Sequence, residues 1–340
     1  MRVWFNRTFS SVYAAIQLIR EADHAGRFFI IYSNPTSHVA AAGAAHAFYQ
    51  EPTGLTPDAY IDWCLDFCRE HRVDVFIPGK SSTAIAGQHD RFAAIGVRVQ
   101  SAASPAALEL IHDKARFYAE AVLPSAPVAD FRVFDTLAAF DDAWAALRPQ
   151  HTKLCVKPSH SVFGLGFAVL EEHKSSAALL LAGVQYHIGL DDLRRGLAEM
   201  GTFRTMLLME YLDGHEYSVD CVGNDGALVA AIARKKPHSG PGQTIDQRDD
   251  ILAATAELTR QHGLNGVFNV QFRESGADGR LRLLEINPRM SGGIGMACVA
   301  GPNLPYLSLC GFVDGFENID VPEVRNGIRV ADLGLAGELL

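Results

Sequence analysis

The chain has 340 residues, of which 48% are hydrophobic and 20% are charged, and its formal net charge is −9. This composition is typical of a globular protein of two or three domains and excludes a disordered chain. The negative charge argues against a protein that binds nucleic acid by neutralising phosphates. No apolar run reaches the eighteen or so residues of a membrane-spanning helix, so we expect neither a nucleic-acid nor a membrane partner.

The cysteines and the first residues indicate the compartment. The six cysteines are scattered and form neither a disulfide framework nor a paired metal-binding spacing. Arg2 and Arg7 stand where a signal peptide would have its apolar region. We therefore expect a cytoplasmic protein.

The first part of the chain alternates strands and helices. Short apolar runs predict strands at 3–6, 28–32 and 73–78, and amphipathic patterns predict helices at about 11–25 and 56–71. This alternation predicts a parallel sheet that is covered by helices.

Two basic residues follow strands of this sheet. Arg7 comes after the first strand and Lys80 after the third, so both face the edge where ligands bind in such sheets. They can hold an anionic substrate group, or they are surface charges at strand ends. Neither loop is GxGxxG, which argues against a dinucleotide.

The middle of the chain begins with a predicted helix that opens at Ser104-Pro105 and continues through Lys114. Prolines 124 and 127 then predict an extended linker and a domain boundary. A strand at 154–158 carries Lys157, and a glycine-bearing loop at 159–166 follows it. Such a loop can donate backbone N–H groups to phosphates, although most hairpin loops of this kind are structural.

The last third is rich in strands. A strand is predicted at 205–211, and a hairpin joins 217–222 to 228–234 around Asn224-Asp225-Gly226. The polar, Gly/Pro-rich segment 235–247 predicts a mobile loop over the site, and a helix is predicted at about 248–262.

A final hairpin, within 267–295, brings oxygen ligands together. Gln271 lies on one strand, and Glu285 and Asn287 share a face of the other. A carboxylate and two carboxamides suit Mg²⁺, whose coordination substrate phosphates would complete. Arg289 and the loop Ser291-Gly292-Gly293 follow and can approach an anion. Taken singly, these residues also fit an ordinary turn after a strand.

The string LLEINPRMSGG, preceded by NVQF, resembles the nucleotide-site hairpin of the ATP-grasp superfamily. The resemblance implies an α/β protein with α+β subdomains, in which a parallel-sheet pre-ATP-grasp domain precedes the ATP-grasp fold. It implies an N-terminal substrate domain at 1–103, a helix and linker at 104–130, a small lid subdomain at 131–208 and a C-terminal subdomain with the metal site at 209–340.

The resemblance also implies residue roles. It assigns ATP binding to Lys114, Lys157, Ser161, Gly164, Gly166, Met209, Glu210, Leu212 and Glu216. It assigns Mg²⁺ or Mn²⁺ binding to Gln271, Glu285 and Asn287, and charge neutralisation during catalysis to Arg289, Lys157 and Arg234. The candidates for substrate binding are Arg7, Lys80, Ser291 and Gly292.

The implied reaction is ATP-dependent ligation, in which a small-molecule carboxylate is activated as an acylphosphate and joined to an amine or thiol. A kinase without a second substrate and an ATP-binding protein without turnover are the alternatives. Gln271 departs from the acidic residue of many members and resembles the carbamoyl-phosphate-synthetase-like and carboxylate–amine-ligase branches. The opening VWFNRTFSSVY resembles ATP-grasp proteins found beside tellurium-resistance genes, and a homodimer is compatible with the superfamily.

Overall fold

The computed structural model describes residues 1–8, 11–161 and 164–333. The chain forms two compact units. The first unit comprises residues 1–109, 215–272 and those from 286 onward, and the second comprises 110–214 and 273–285. The four-part division inferred from the resemblance stays a prediction.

The first unit begins with a five-stranded parallel sheet in the order β3-β2-β1-β4-β5. Its strands and helices are β1 Arg2–Phe5, α1 Ser11–Ala22, β2 Phe29–Asn34, α2 Ala40–Ala44, β3 Ala47–Gln50, α3 Pro57–Glu70, β4 Val75–Ile77, α4 Ser82–Ala86, α5 His89–Ala93 and β5 Arg98–Val99. The predicted alternation is confirmed, but the sequence reading missed β3, β5 and the three short helices. Elements of five residues or fewer are too short to show a period.

Local sequence explains the two long helices. α1 buries Val12, Ala15, Ile16 and Ile19, the stripe that its apolar spacing creates. α3 begins where the Thr56 hydroxyl accepts a hydrogen bond from the Ala59 N–H, with proline at the first position of the helix.

The second unit contains a five-stranded sheet in the order β6-β10-β7-β8-β9. Its elements are α6 Pro105–His112, which begins in the first unit, α7 Lys114–Glu120, β6 Phe131–Thr136, α8 Leu137–Leu147, β7 Leu154–Pro158, β8 Ala168–Glu171, α9 Ser176–Leu181, β9 His187–Gly189, α10 Leu190–Met200 and β10 Thr202–Glu210. The predicted bounds of β7 are confirmed.

The predicted helix through Lys114 is wrong, because the structure has two helices that break at Asp113. The Asp113 backbone is extended, and its carboxylate accepts hydrogen bonds from the N–H groups of Ala115 and Arg116. A side chain that caps a new helix in this way competes with continuation of the preceding one. Lys114 consequently lies in the first turn of α7.

A six-stranded sheet follows in the order β15-β14-β11-β12-β13-β16. Its strands and the later helices are β11 Glu216–Asn224, β12 Ala227–Lys235, β13 Gln243–Ile245, α11 Asp249–Gln261, β14 Gly266–Glu274, β15 Leu281–Asn287, α12 Ile294–Cys298, α13 Leu304–Asp314 and β16 Arg329–Val330. The segment 235–247 was predicted to be a loop, but β13 lies within it and pairs with β12 and β16. A three-residue strand among polar residues gives little sequence signal.

No described helix is both long enough and apolar enough to cross a bilayer.

Candidate functional site

Lys114 and Glu285 lie close together in the second unit, although 170 positions separate them in the sequence. The Lys114 Nζ lies 3.7 Å from Glu285 Oε2 and donates a hydrogen bond of 2.9 Å to the Ser161 carbonyl oxygen. The Lys114 side chain is 11% exposed and the Glu285 side chain 30%. The ammonium group is thus partly desolvated, which strengthens its attraction for an anion.

Lys157 projects from β7 onto Tyr118 of α7. Its Nζ donates to the Tyr118 hydroxyl at 2.6 Å and lies 4.7 Å from the centre of that ring. Tyr118 in turn donates to the Leu284 carbonyl, next to Glu285. Burial lowers the pKa of Lys157, and the charge of Glu285 opposes this shift.

The sequence reading did not single out Tyr118. Its position, four residues after Lys114, gave a usable signal, because residues at this spacing share a helix face. Burial raises the pKa of Tyr118, so the hydroxyl stays protonated and can serve Lys157 as an acceptor and Leu284 as a donor.

The glycine-bearing loop has the backbone freedom that was predicted for it. Gly164 and Gly166 have φ values of +68° and +82°, a region that favours glycine. A Cβ atom on Gly166 would also lie 2.7 Å from the Pro158 ring. Val162 and Phe163 lie outside the described residues.

The predicted adenine-side residues separate into two groups. In the second unit, Met209 and Leu212 are buried, and Glu210 accepts a hydrogen bond of 3.0 Å from the Ser275 hydroxyl. Glu216 belongs to the first unit, where its carboxylate forms an ion pair with Lys236. A role on the ribose hydroxyls would require Glu216 to share its oxygens with that lysine.

The hairpin of β14 and β15 carries the three predicted metal ligands. Gln271 donates a hydrogen bond of 3.2 Å from its amide N–H to Asn269 Oδ1, so this bond does not use the Gln271 carbonyl oxygen. Asn287 Oδ1 lies 3.3 Å from Arg289 Nη2. Oxygen donors of this kind fit Mg²⁺. No group of three His, Cys, Asp or Glu side chains suited to a metal occurs in the described part of the chain, so the proposed set rests on one carboxylate and two amides.

Arg234 lies in the interior of the first unit, with 2% of its side chain exposed. It pairs with buried Asp220 and donates hydrogen bonds to Ser218, Gln243 and Ser291. A direct contact with phosphate, as the resemblance implied, would require it to leave these partners. The contacts favour a positioning role, in which Arg234 fixes the loop that begins at Ser291.

Glycine is required where this loop passes Arg234. A Cβ atom on Gly293 would lie 2.4 Å from Arg234 Nη1, whereas one on Gly292 would meet open space. The Ser291 hydroxyl accepts from both Arg234 and the Gly293 N–H. Of the predicted anion-binding loop, Ser291 is buried and Gly292 is exposed.

The structure brings together the loops that carry Arg7 and Lys80. Buried Asn6 accepts hydrogen bonds from the N–H groups of Gly79 and Lys80 and donates to the Lys80 carbonyl. The Arg7 N–H donates to Glu51 at 2.7 Å, and the Lys80 Nζ lies 4.1 Å from the centre of the Tyr60 ring. Two residues that the sequence reading missed, Asn6 and Glu51, therefore hold this edge of the sheet.

Arg289 lines a small cavity of about 50 Å³ in the first unit, together with Thr8, Gly79, Gln100 and Ser308. Neither Arg7 nor Lys80 lines it. Through Thr8 and Gly79, the cavity nevertheless lies beside the loops that carry Arg7 and Lys80.

The fold is shared with a known enzyme. The structure of an N5-carboxyaminoimidazole ribonucleotide synthetase in complex with ADP matches 96% of this chain and 80% of its own, with a TM-score of 0.68 and 14% sequence identity. This likeness agrees with the sequence motif of the β14–β15 hairpin and with the parallel-sheet domain before it. The chain has the ATP-grasp fold, and its residues 202–334 match an ATP-grasp family model. The predicted fold class, ATP-grasp with an N-terminal parallel-sheet domain, is confirmed.

Parts of the chain are similar in sequence to an ATP-grasp family and to two synthases. Residues 202–334 match the family described as ATP-grasp in the biosynthetic pathway with Ter operon. The large chain of carbamoyl phosphate synthase from Clostridium perfringens is 31% identical over 143 residues, which are 38% of this chain. Carnosine synthase 1 from Mus musculus is 37% identical over 106 residues, which are 27% of this chain. These matches cover only 12% and 13% of the relatives' own lengths.

Proposed function

We propose that the protein is an ATP-dependent ligase that joins a small-molecule carboxylate to an amine or thiol and releases ADP and phosphate. The observation that carries the proposal is the convergence of Lys114, Lys157 and Glu285 in the second unit. Two lysines beside one carboxylate suit the phosphates and the metal of MgATP. The two synthase relatives named above support the same reaction class.

The reaction proceeds in two displacements. A carboxylate oxygen of the substrate attacks the γ-phosphorus of ATP, the bond to the β-phosphate oxygen breaks, and ADP leaves. The amine or thiol then attacks the carbonyl carbon of the acylphosphate, phosphate leaves, and the nucleophile loses its proton. Positioning and electrostatics therefore dominate, and the protein needs no nucleophile of its own.

The chain's residues have distinct proposed tasks. Lys114 and Lys157 bind phosphate oxygens, with the N–H groups of the glycine-bearing loop beside them. Arg289 neutralises charge on the transferred group. Bound Mg²⁺ or Mn²⁺ would neutralise further phosphate charge, and Glu285, Gln271 and Asn287 are the residues that would hold it.

The first experiment measures ADP release from MgATP with pooled carboxylic acids, with and without pooled amines and thiols. For the wild type we expect release that requires both pools. Glu285→Gln and Lys157→Met should each lower the rate about 100-fold or more, because each removes a charge that acts in the transition state. Lys174→Met is the matched control, since Lys174 is an exposed lysine of the same unit, and its rate should be unchanged.

Other outcomes select the alternatives. ADP that requires only the acid pool indicates a kinase. If the protein binds MgATP but releases no ADP with any pool, and the variants release no less than the wild type, it is a binding protein. That outcome contradicts the ligase proposal.

The match of residues 202–334 supports a place in the tellurium-resistance-associated branch. The genes that neighbour this one would test that assignment.

A further inference from the structure

A second pocket lies in the first unit, apart from the residues assigned above to phosphate and metal. It has a volume of about 610 Å³ and opens where β12, β13 and β16 run side by side. Its lining includes Lys235, Lys236, Thr244, Asp246 and Arg329. This volume is in the range of small-molecule sites, and three of these five side chains are cationic.

The strand register explains why the Lys235 and Arg329 side chains line the same pocket. Lys235 pairs with Thr244, and Thr244 pairs with Arg329, so the three residues form one row across neighbouring strands. Residues that are directly opposite one another in antiparallel strands point to the same face of the sheet. The two cations are separated by two strand spacings, roughly 10 Å between their Cα atoms.

The pocket borders on Arg234 through Gln243, which lines it and accepts a hydrogen bond from the Arg234 guanidinium, but the register places Lys235 and Arg234 on opposite faces of β12. Arg234 precedes Lys235 in β12, so its side chain points to the opposite face, where it contacts Ser291. Arg234, Arg289 and Ser291 do not line the pocket.

The charge of the pocket is incompletely compensated. Lys236 forms an ion pair with Glu216, and Asp246 contributes one carboxylate to the lining. Among the described residues, neither Lys235 nor Arg329 forms an ion pair. Lys235 Nζ lies 5.7 Å from the centre of the Tyr217 ring, and Arg329 contacts the Pro241 carbonyl at 3.5 Å. Two cations on one face, at this spacing, would bind an anion with two charges better than an anion with one.

We propose that this pocket binds a small dianion through Lys235 and Arg329. The chemistry admits two sources, a dicarboxylate and a phosphate-bearing compound such as the nucleotide itself. We assign the pocket to a dianion that binds independently of the nucleotide, because none of the residues proposed above for the phosphates and the metal lines it.

Isothermal titration calorimetry at low ionic strength with glutarate, pyrophosphate and butyrate tests the proposal, without ATP and then with saturating MgADP. We expect glutarate or pyrophosphate to bind at least tenfold more tightly than butyrate, and to do so equally well with MgADP present. Lys235→Gln and Arg329→Gln should each lower the affinity for the dianion about tenfold, as expected for loss of one charge-assisted contact. Arg329→Lys should retain most of the affinity.

Arg325→Gln provides the matched control, because Arg325 is an exposed arginine four positions before Arg329 and does not line the pocket. It should bind the dianion as the wild type does. Three results would overturn the proposal: equal affinity for butyrate and the dianions, no binding of any probe, or an equal loss in Arg325→Gln. The proposal would also be overturned if MgADP competed with the dianion and the Arg329→Gln variant bound MgADP more weakly. That result would assign the pocket to nucleotide phosphate. MgADP affinity and ADP release, measured on the same proteins, report on the ligase separately.

Discussion

At the scale of single residues, the Lys157 ammonium depends on one hydroxyl group. The Tyr118 hydroxyl accepts a hydrogen bond from Lys157 and donates one to the Leu284 carbonyl. Burial already lowers the pKa of Lys157. A buried cation that loses its hydrogen-bond acceptor is destabilised, because nothing then offsets the cost of removing it from water. Tyr118 is therefore a positioning residue for Lys157.

We predict that Tyr118→Phe weakens MgADP about tenfold in a calorimetric titration, because the ammonium loses its acceptor and its pKa falls further. As pH rises, the affinity for MgADP should begin to fall at a lower pH in the variant than in the wild type, because Lys157 becomes neutral earlier and neutral Lys157 does not attract phosphate. Lys157→Arg should abolish this pH dependence. Tyr186→Phe removes an exposed hydroxyl of the same unit and is the control. Unchanged affinity and pH profile in Tyr118→Phe would refute the positioning role.

Arg234 shows what a sequence alone leaves out at this scale. The family resemblance implied a phosphate contact for Arg234, but whether a strand-end arginine faces a ligand or the interior depends on its partners. Asp220, Ser218 and Gln243 come from two other strands, and Ser291 comes from a loop. Their convergence follows from strand pairing, which one sequence does not reveal.

At the scale of elements, the break between α6 and α7 determines where Lys114 lies. The Asp113 carboxylate caps α7 and also accepts a hydrogen bond from the Ser159 hydroxyl. Burial raises the pKa of Asp113, but the bonds from Ser159, Arg116 and Ala115 outweigh it, so the net shift is downward. A carboxyl whose pKa is lower in the folded state stabilises the fold above its unfolded pKa, and this contribution is lost as pH falls through the folded value.

We predict that Asp113→Ala lowers the free energy of unfolding by about 1 kcal/mol at neutral pH, through loss of the cap. Asp113→Asn keeps an acceptor for the backbone N–H groups and should lose less. The difference between wild type and Asp113→Asn should shrink as pH falls below the usual pKa of an aspartate and disappear below the lower pKa of folded Asp113. Urea unfolding across a pH series measures this. A difference that persists unchanged to the lowest pH would contradict the role of the charge.

The elements that the sequence predicted best are those with a strong local signal. The stripe of α1, the Thr56 cap of α3 and the Asn224-Asp225-Gly226 turn are recorded in neighbouring residues, and the structure confirms each of these elements. The sequence did not predict β13, because a strand of three residues is too short to show a period and its pairing depends on the distant Arg329–Val330 segment. The candidate oxygen ligands of the last hairpin could be proposed from alternation alone, whereas the roles of the lysines beside Glu285 depended on the family resemblance.

At the scale of the whole molecule, the six cysteines report on the two units separately. All six are buried, and Cys155 is the one that belongs to the second unit. Burial raises the pKa of Cys155 to about 12 and that of Cys68, in α3 of the first unit, also to about 12. Near neutral pH these thiols are protonated, so labelling by a thiol reagent requires the surrounding structure to open.

We predict that MgADP slows the labelling of Cys155, which is adjacent along β7 to Val156 and Lys157. If opening abolishes binding, nucleotide at 100 times its Kd should slow the reaction about 100-fold, because a ligand stabilises only the state that binds it. Labelling of Cys68 should slow less, since none of the residues proposed for the phosphates belongs to α3. Mass spectrometry of the labelled peptides resolves the two rates. Protection of Cys68 with no change at Cys155 would mean that the nucleotide binds through the first unit alone, and would remove Lys114 and Lys157 from the proposed phosphate site.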